Sequence, residues 1–294
     1  GLILSVIAAD AAPPKETSEG TRTHSATTDA LGDPLPDAAL LRMGTVRFRH
    51  PSSIVAFALS PDEKVVVTMD DDIIAWDAAT GKELWREQDT NKLGFRLPHA
   101  SYGVRGIAFS PDGRTFYTPG QQNEIIAWNA ATGERDTIAV QPRLRRFFGR
   151  IGNGQSRSID VSPDGNLFAT GDHTSLVVCN RHGKVQYEIA NNPDKPIEAE
   201  GMNRDRLRFG GDFSYGRFSP DGKLLAVVNS ESPKEIRFHA ADTGKELRRV
   251  PLTDRLVRLA FSPDSRQVIA TERDSAARLY DVATGEKLWD YKIE

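Results

Sequence analysis

Six histidines, one cysteine and scattered carboxylates are the side chains of this 294-residue chain best suited to chemistry, and their spacing builds no familiar centre. The histidines stand singly, without a His-x-x-x-His pair, and Cys179 has no second thiol with which to share a zinc ion or close an intrachain disulfide. No Gly-x-Ser-x-Gly elbow occurs, and Gly149, Gly152 and Gly154 lack the spacing and strand-to-helix context of a dinucleotide loop. Asp70-Asp71-Asp72 sets three carboxylates in a row, whereas a calcium loop alternates its ligands, so the run reads as a solvated turn with one structural aspartate. The densest cluster is cationic. Arg135 to Arg157 holds six arginines against the single acid Asp136, with Phe147 and Phe148 inside the run. Arginine beside exposed aromatics can grip an acidic peptide, a phosphate or a single strand of nucleic acid. The alternative, which the acidic balance of the chain favours, packs the phenylalanines under the loop and leaves the arginines solvated. If the loop binds, the contact residues are Arg143, Arg145, Arg146, Phe147, Phe148 and Arg150.

The elements that must carry these side chains are announced by a repeat. Ser-Pro-Asp occurs five times, with prolines at 61, 111, 163, 220 and 263. Intervals of this size mark repeated supersecondary units. Each tripeptide is flanked by short apolar runs, Val55 to Leu59 before the first and Val65 to Thr68 after it, which gives strand, turn, strand. Proline sets the first turn position, aspartate bonds to nearby main chain, and Gly113, Gly165 and Gly222 admit positive φ, with Glu63 and Ser265 in the outer repeats. A third strand ends at Trp76, Trp128, Cys179, Phe238 and Tyr280, followed by a polar turn with glycine and a fourth strand opening at Glu83, Arg135, Lys184, Glu246 and Lys287. Four short antiparallel strands cannot bury a face alone and must stack on their neighbours. The expected fold is all-β, a β-propeller of four-stranded antiparallel blades with five blades present.

These residues resemble the WD40-repeat family. The likeness rests on Phe109-Ser-Pro-Asp-Gly113 with Ile125-Ile-Ala-Trp-Asn129, on Trp76-Asp77, and on His50 and His99 placed 11 and 12 residues before Pro61 and Pro111. The resemblance implies a buried network joining a histidine, a strand Ser/Thr, a turn aspartate and the tryptophan. Thr68, Thr118, Thr170 and Thr271 match the Ser/Thr position, Asp71, Asp172 and Asp274 the aspartate, and Trp76, Trp128 and Tyr280 the aromatic. Only the first repeat carries all four; the third has Cys179 in place of tryptophan, read as a buried structural residue. The likeness covers about residues 44 to 294, with repeats near 44–88, 89–140, 141–190, 191–250 and 251–294. It implies a scaffold for protein or peptide partners, without enzymatic activity or cofactor.

Net charge of −3 gives no bulk attraction to nucleic acid or anionic membrane. Residues 1–28 open on the apolar run Leu2 to Ala9 and continue through a Pro-, Ser- and Thr-rich spacer, similar to the remains of a secretory signal; a strand or helix packed on the propeller is the other reading. The run is too short to span a membrane, and export to the periplasm or the outside is the expectation, with the cytoplasm as the alternative. Residues 29–43 form a linker with a short helical turn from Ala38 to Met43, similar to stretches in WD40-repeat proteins of planctomycete-type bacteria. Thr45 to His50 reads as an outer strand without a blade of its own, while the fifth repeat already owns an outer strand. The chain, which opens on Gly1, is therefore expected to be a fragment of a seven- or eight-bladed ring, a closed five-bladed ring being the alternative. Asn191 to Gly211 is a second insertion and reads as a surface loop.

A second resemblance competes. Ala75-Trp-Asp-Ala-Ala-Thr-Gly-Lys-Glu-Leu-Trp85, largely repeated at Asp281 to Trp289, is similar to the tryptophan-docking pattern of quinoprotein propellers. It implies a tryptophan that locks one blade to the next, and it leaves a quinone-dependent oxidoreductase as the second functional reading, the sensor or scaffold portion of a larger multidomain bacterial protein being the third.

Overall fold

The computed structural model describes residues 28–29, 32–35, 39, 46–51, 54–70, 72–88, 106–120, 124–140, 158–171, 175–190, 214–229, 234–254, 256–272 and 276–292. Two compact units divide the chain, Gly1–Val46 and Arg47–Glu294. In the first, Thr28 and Pro34 form an isolated antiparallel bridge and Gly32 N–H donates to the Asp29 carbonyl at 2.9 Å. The helical turn expected from Ala38 to Met43 lies outside the described residues.

The second unit is five four-stranded antiparallel sheets arranged as a β-propeller, each sheet one repeat. Blade 1 is β1 (Ala56–Leu59), β2 (Val65–Met69), β3 (Ile73–Asp77) and β4 (Glu83–Glu87). Blade 2 is β5 (Ala108–Phe109), β6 (Thr115–Pro119), β7 (Glu124–Asn129) and β8 (Arg135–Ala139). Blade 3 is β9 (Ser158–Val161), β10 (Leu167–Gly171), β11 (Ser175–Asn180) and β12 (Val185–Ala190). Blade 4 is β13 (Ser214–Phe218), β14 (Leu224–Asn229), β15 (Glu235–Ala240) and β16 (Glu246–Pro251). Blade 5 is β17 (Leu256–Phe261), β18 (Gln267–Glu272), β19 (Ala276–Asp281) and β20 (Lys287–Lys292). Within every sheet the strand order follows the chain, because each connection is a hairpin. No helix occurs among the described residues.

In blades 3 and 4, strands such as β11 and β14 are apolar on both faces because each of these sheets is sandwiched between two others. On β11, Leu176 and Val178 pack toward blade 4 while Val177 and Cys179 pack toward blade 2. On β14, Leu225 and Val227 face blade 3, and Ala226 and Val228 face blade 5. The core is thus four slabs between consecutive sheets rather than one centre. Full burial of side chains such as Phe116, Phe168 and Leu225 stabilises each slab by about 2 kcal/mol apiece.

One expectation is corrected. Residues 46–50 form a bend and turn, not an outer strand, and Phe48 sits at φ 52°. The Phe48 N–H donates to the Gly81 carbonyl at 2.9 Å, which satisfies the chain without a ladder.

Candidate interaction surface

The five Ser-Pro-Asp turns are built alike. The serine, buried in the first four turns and half-buried at Ser262, donates from Oγ to the aspartate two residues on, at 2.7 Å for Ser60–Asp62, 2.6 Å for Ser110–Asp112, 2.5 Å for Ser162–Asp164, 2.6 Å for Ser219–Asp221 and 2.6 Å for Ser262–Asp264. Its Oγ also accepts the N–H that opens the second strand, as from Val65 at 2.9 Å. These serine hydrogen bonds are the first cause that holds all five aspartates below the usual carboxylate range. The residue after aspartate lies at positive φ in every turn, including Glu63 at 59° and Ser265 at 62°, where glycine would be unstrained. Neighbouring turns touch: Asp221 N–H donates to Ser265 Oγ at 3.0 Å, and Pro61, Pro111 and Pro163 lie beside Gly113, Gly165 and Gly222. The result is a continuous rim of hydrogen-bonded turns.

A second joint lies where each fourth strand meets the next blade. Trp85 stacks on Phe116 and Trp128 with centroids 6.0 and 6.4 Å away, and its indole N–H donates to the Ala130 carbonyl at 2.9 Å. The ring fills a notch over Gly133, where a Cβ would stand 2.8 Å from Trp85 Cε3. Tyr187 repeats the joint on Gly244, its hydroxyl donating to the Ala241 carbonyl at 2.6 Å, and Arg248 does so on Gly285, donating to the Val282 carbonyl at 3.2 Å. Phe48 lies against Gly81, whereas Gly183 is met first by the main-chain carbonyl of Ala139. In the three hydrogen-bonded cases the acceptor is the carbonyl three residues before the notch glycine. The sequence shows Trp85 and Trp289 as members of this series. It gives no hint of Tyr187 or Arg248 by residue type, although each stands four residues after its own blade's turn glycine.

The expected buried network is present in part. Trp76 and Trp128 donate their indole N–H to Thr68 at 2.8 Å and to Thr118 at 2.9 Å. In blade 3 the corresponding residue of the third strand is Cys179, which offers no indole, and Thr170 donates instead to the Ser158 carbonyl at 2.9 Å. Cys179 is fully buried, and burial pushes its thiol up to about 12. Blade 5 uses charge: Arg278 and Glu272, both buried, pair at 2.8 Å near Tyr280, whose hydroxyl burial pushes up to about 12. Thr271 stands next to that pair on β18. His50 is half-buried at the start of the unit. His99, Asp71, Asp172 and Asp274 lie outside the described residues, as do Arg143, Arg145, Arg146, Phe147, Phe148 and Arg150. At the near edge of that basic run, Arg135 is 3.6 Å from Glu87 and 5.7 Å above the Trp128 ring.

Charge also ties blade 3 to blade 4, through a half-buried ion pair and a buried arginine. Asp160 accepts from Arg217 at 2.8 Å and from the Phe218 N–H at 2.7 Å, and the Asp160 charge raises the guanidinium. The fully buried Arg237 donates to the Ala190 carbonyl of blade 3 at 2.9 Å. Among the described residues no three His, Cys, Asp or Glu side chains gather where they could hold a metal ion.

Comparison with known proteins agrees with this geometry. The Candida albicans protein HIR1 is 24% identical over 93% of the chain and 30% of its own length. Human WD repeat-containing protein 75 is 25% identical over 60% of the chain and 19% of its own. The Gallus gallus serine-threonine kinase receptor-associated protein is 21% identical over 72% of the chain and 64% of its own. The chain's relatives are WD-repeat proteins. It spans less than a third of the length of HIR1 from Candida albicans. A chain of the mitotic checkpoint complex crystal structure superposes with a TM-score of 0.59 at 13% identity, over 82% of this chain and 65% of that one, a likeness of fold. Residues 69–136 match a family described as outer membrane protein assembly factor BamB, a stretch that includes Trp85 and its seat on blade 2. That match supports in part the resemblance of this stretch to quinoprotein-like repeats.

Proposed function

We propose that the protein is a non-enzymatic platform that presents its turns and connecting loops to a protein or peptide partner. The observation that carries this reading is the rim. Five turns held by the same serine–aspartate bond, and in contact with one another, are ordered before a partner arrives, so docking forfeits little conformational freedom. WD-repeat relatives support the same assignment. The contact residues are those of the basic loop, Arg145 and Arg146 with Phe147 and Phe148. Affinity capture with the native protein and with an Arg145→Glu, Arg146→Glu variant tests it: the variant should lose partners that the native chain retains, and unchanged binding removes the loop from the site.

The match to an outer membrane assembly factor supports a place outside the cytoplasm, with residues 1–28 acting as an export signal and spacer. N-terminal sequencing of the protein from cell envelope and cytosolic fractions checks this. A cytosolic product with residues 1–28 intact would refute it.

The same match favours one second reading, a quinone-dependent oxidoreductase. Dye-linked alcohol oxidation after addition of a quinone cofactor and calcium separates the two. The platform reading requires no turnover above the cofactor blank.

A further inference from the structure

The first strands of consecutive blades approach one another, β5 against β9 and β9 against β13, so they line the inside of the propeller. Residues at the same distance before the Ser-Pro-Asp proline then stand at the same height on neighbouring first strands. Asp160 and Arg217 show it: each lies three residues before its own proline, Pro163 and Pro220, and they pair at 2.8 Å. Arg217 flanks Phe218, which packs toward blade 3, so its side chain leaves β13 on the other face and rounds the inner edge of the strand to reach Asp160. Tyr215 and Arg258 stand in the same relation one blade further on, each five residues before its proline, Pro220 and Pro263. Arg258 flanks Leu259, which packs toward blade 4, and it is exposed on β17. Tyr215 is 6% exposed in the slab with Leu256 and Leu259, and among the described residues its hydroxyl meets no hydrogen-bond partner. A tyrosine buried to its polar tip ordinarily has one. Burial raises the pKa of this hydroxyl against the opposing pull of the Arg217 and Arg258 charges, so the group stays protonated and available as a donor.

We propose that Tyr215 and Arg258 form a subsite for one carboxylate, carried by an aspartate or glutamate of a partner peptide that enters the inside of the propeller. The Tyr215 O–H donates to one carboxylate oxygen, and the Arg258 guanidinium donates to the same group and supplies its countercharge. The balance of charge decides the class of ligand. Asp160, Tyr215, Arg217 and Arg258 together carry one positive charge, which a single carboxylate matches, whereas a dianionic phosphate exceeds it and a neutral amide gives the guanidinium no charge to answer. The site is ordered beforehand, because the slab fixes the Tyr215 ring and Asp160 holds Arg217 aside, so capture forfeits little conformational freedom. The subsite deepens the platform reading and rests on it: it gives the partner an acidic residue, at a place separate from the basic loop.

Fluorine NMR of the 294-residue chain carrying 3-fluorotyrosine tests this, with Tyr215→Phe assigning the resonance. The probes are acetyl-Gly-Glu-Gly-amide, the same peptide with glutamine in place of glutamate, and sodium acetate. The Tyr215 resonance should shift saturably with the glutamate peptide and stay in place with the glutamine peptide. Arg258→Gln, a change at an exposed position, should weaken that titration at least about tenfold, the loss of one charged hydrogen bond. The Arg145→Glu, Arg146→Glu variant should titrate as the native chain does. No shift with any probe, an equal shift with the glutamine peptide, or an Arg258→Gln titration equal to the native one overturns the subsite, since the hydroxyl then serves water only. Acetate that matches the glutamate peptide at equal concentration overturns the peptide source and makes a free carboxylic acid the ligand. The platform is judged separately: partners captured equally by native protein and Arg258→Gln leave it standing without this subsite, whereas a titration by a chain that captures no partner removes the platform and keeps the carboxylate chemistry.

Discussion

At the residue scale the notch glycines carry two separate demands, and substitution tells them apart. A Cβ at Gly244 would collide with the Tyr187 ring, and φ there is +70°, whereas a Cβ at Gly222, φ +72°, would stand 3.7 Å from Pro163 Cδ. Gly222→Ala should cost about 1 kcal/mol, the strain of a left-handed alanine. Gly244→Ala should cost about 3 kcal/mol, because the tyrosine must also leave its seat and its hydrogen bond to Ala241. Urea unfolding of both variants measures the difference. His239 supplies a pH response. Its ring is buried, with Nδ1–H donating to the Gly244 carbonyl at 2.9 Å, and burial is the main cause that lowers its affinity for a proton. The sign follows directly. A folded-state value below the unfolded one means that the unfolded chain binds the proton first, so stability is full above about pH 6.5 and declines as pH falls through that value toward the folded one. Melting temperature measured from about pH 7.5 down to about pH 5.5 should fall more steeply in the native chain than in His239→Gln.

At the element scale the Ser-Pro-Asp turn is the unit that sets register, and its serine is the hinge of the bonding. Ser219, fully buried, donates to Asp221 at 2.6 Å and accepts from the Leu224 N–H at 2.9 Å. Ser219→Ala removes both bonds and strands a buried donor, for an expected loss of about 2 kcal/mol by chemical denaturation. The aspartates add an acid limit. Their folded values are depressed, so their contribution is complete above about pH 4 and is lost as pH falls below it. Removing serine hydroxyls from several turns should move the acid unfolding midpoint upward, as circular dichroism would show. These turns, the strand order and the pairing of Trp76 with Thr68 and Trp128 with Thr118 are legible in the sequence, since each depends on residues close together in one repeat. The inter-blade joints are less so. Tyr187 and Arg248 fill notches of the same kind as that of Trp85 through shape and one donor hydrogen, a requirement that three unrelated side chains meet. The ionic substitute in blade 5 is hidden for a like reason: Glu272 and Arg278 read as surface charges until pairing makes their burial tolerable. Thr45 to His50 misleads in the opposite sense, because alternation suggests a strand where Phe48 needs only a turn to reach Gly81.

For the whole molecule, stability is distributed over slabs, so each blade depends on its two neighbours. Blade 3 is covered on both sides, with Phe168, Leu176, Val178 and Cys179 fully buried, and it shares the Asp160–Arg217 pair with blade 4. The strand β20 is exposed throughout. Native-state hydrogen exchange should therefore find the slowest amides in β10 and β11 and much faster exchange in β20, as expected when interior units gain two interfaces and end units one. Uniform exchange across the five blades would show instead a ring closed on itself. The position of the apolar runs anticipates this layering, because strands such as β10, β11 and β14 are apolar on consecutive residues, a pattern that suits a sheet covered on both faces.

The chemical variety of the notch fillers, phenylalanine, tryptophan, tyrosine and arginine, has an evolutionary consequence. A coupling that accepts so many plugs carries little information about which unit belongs beside which. Sequential order around the axis is then maintained by covalent linkage, and individual units are free to diverge, duplicate or be exchanged without redesign of their neighbours.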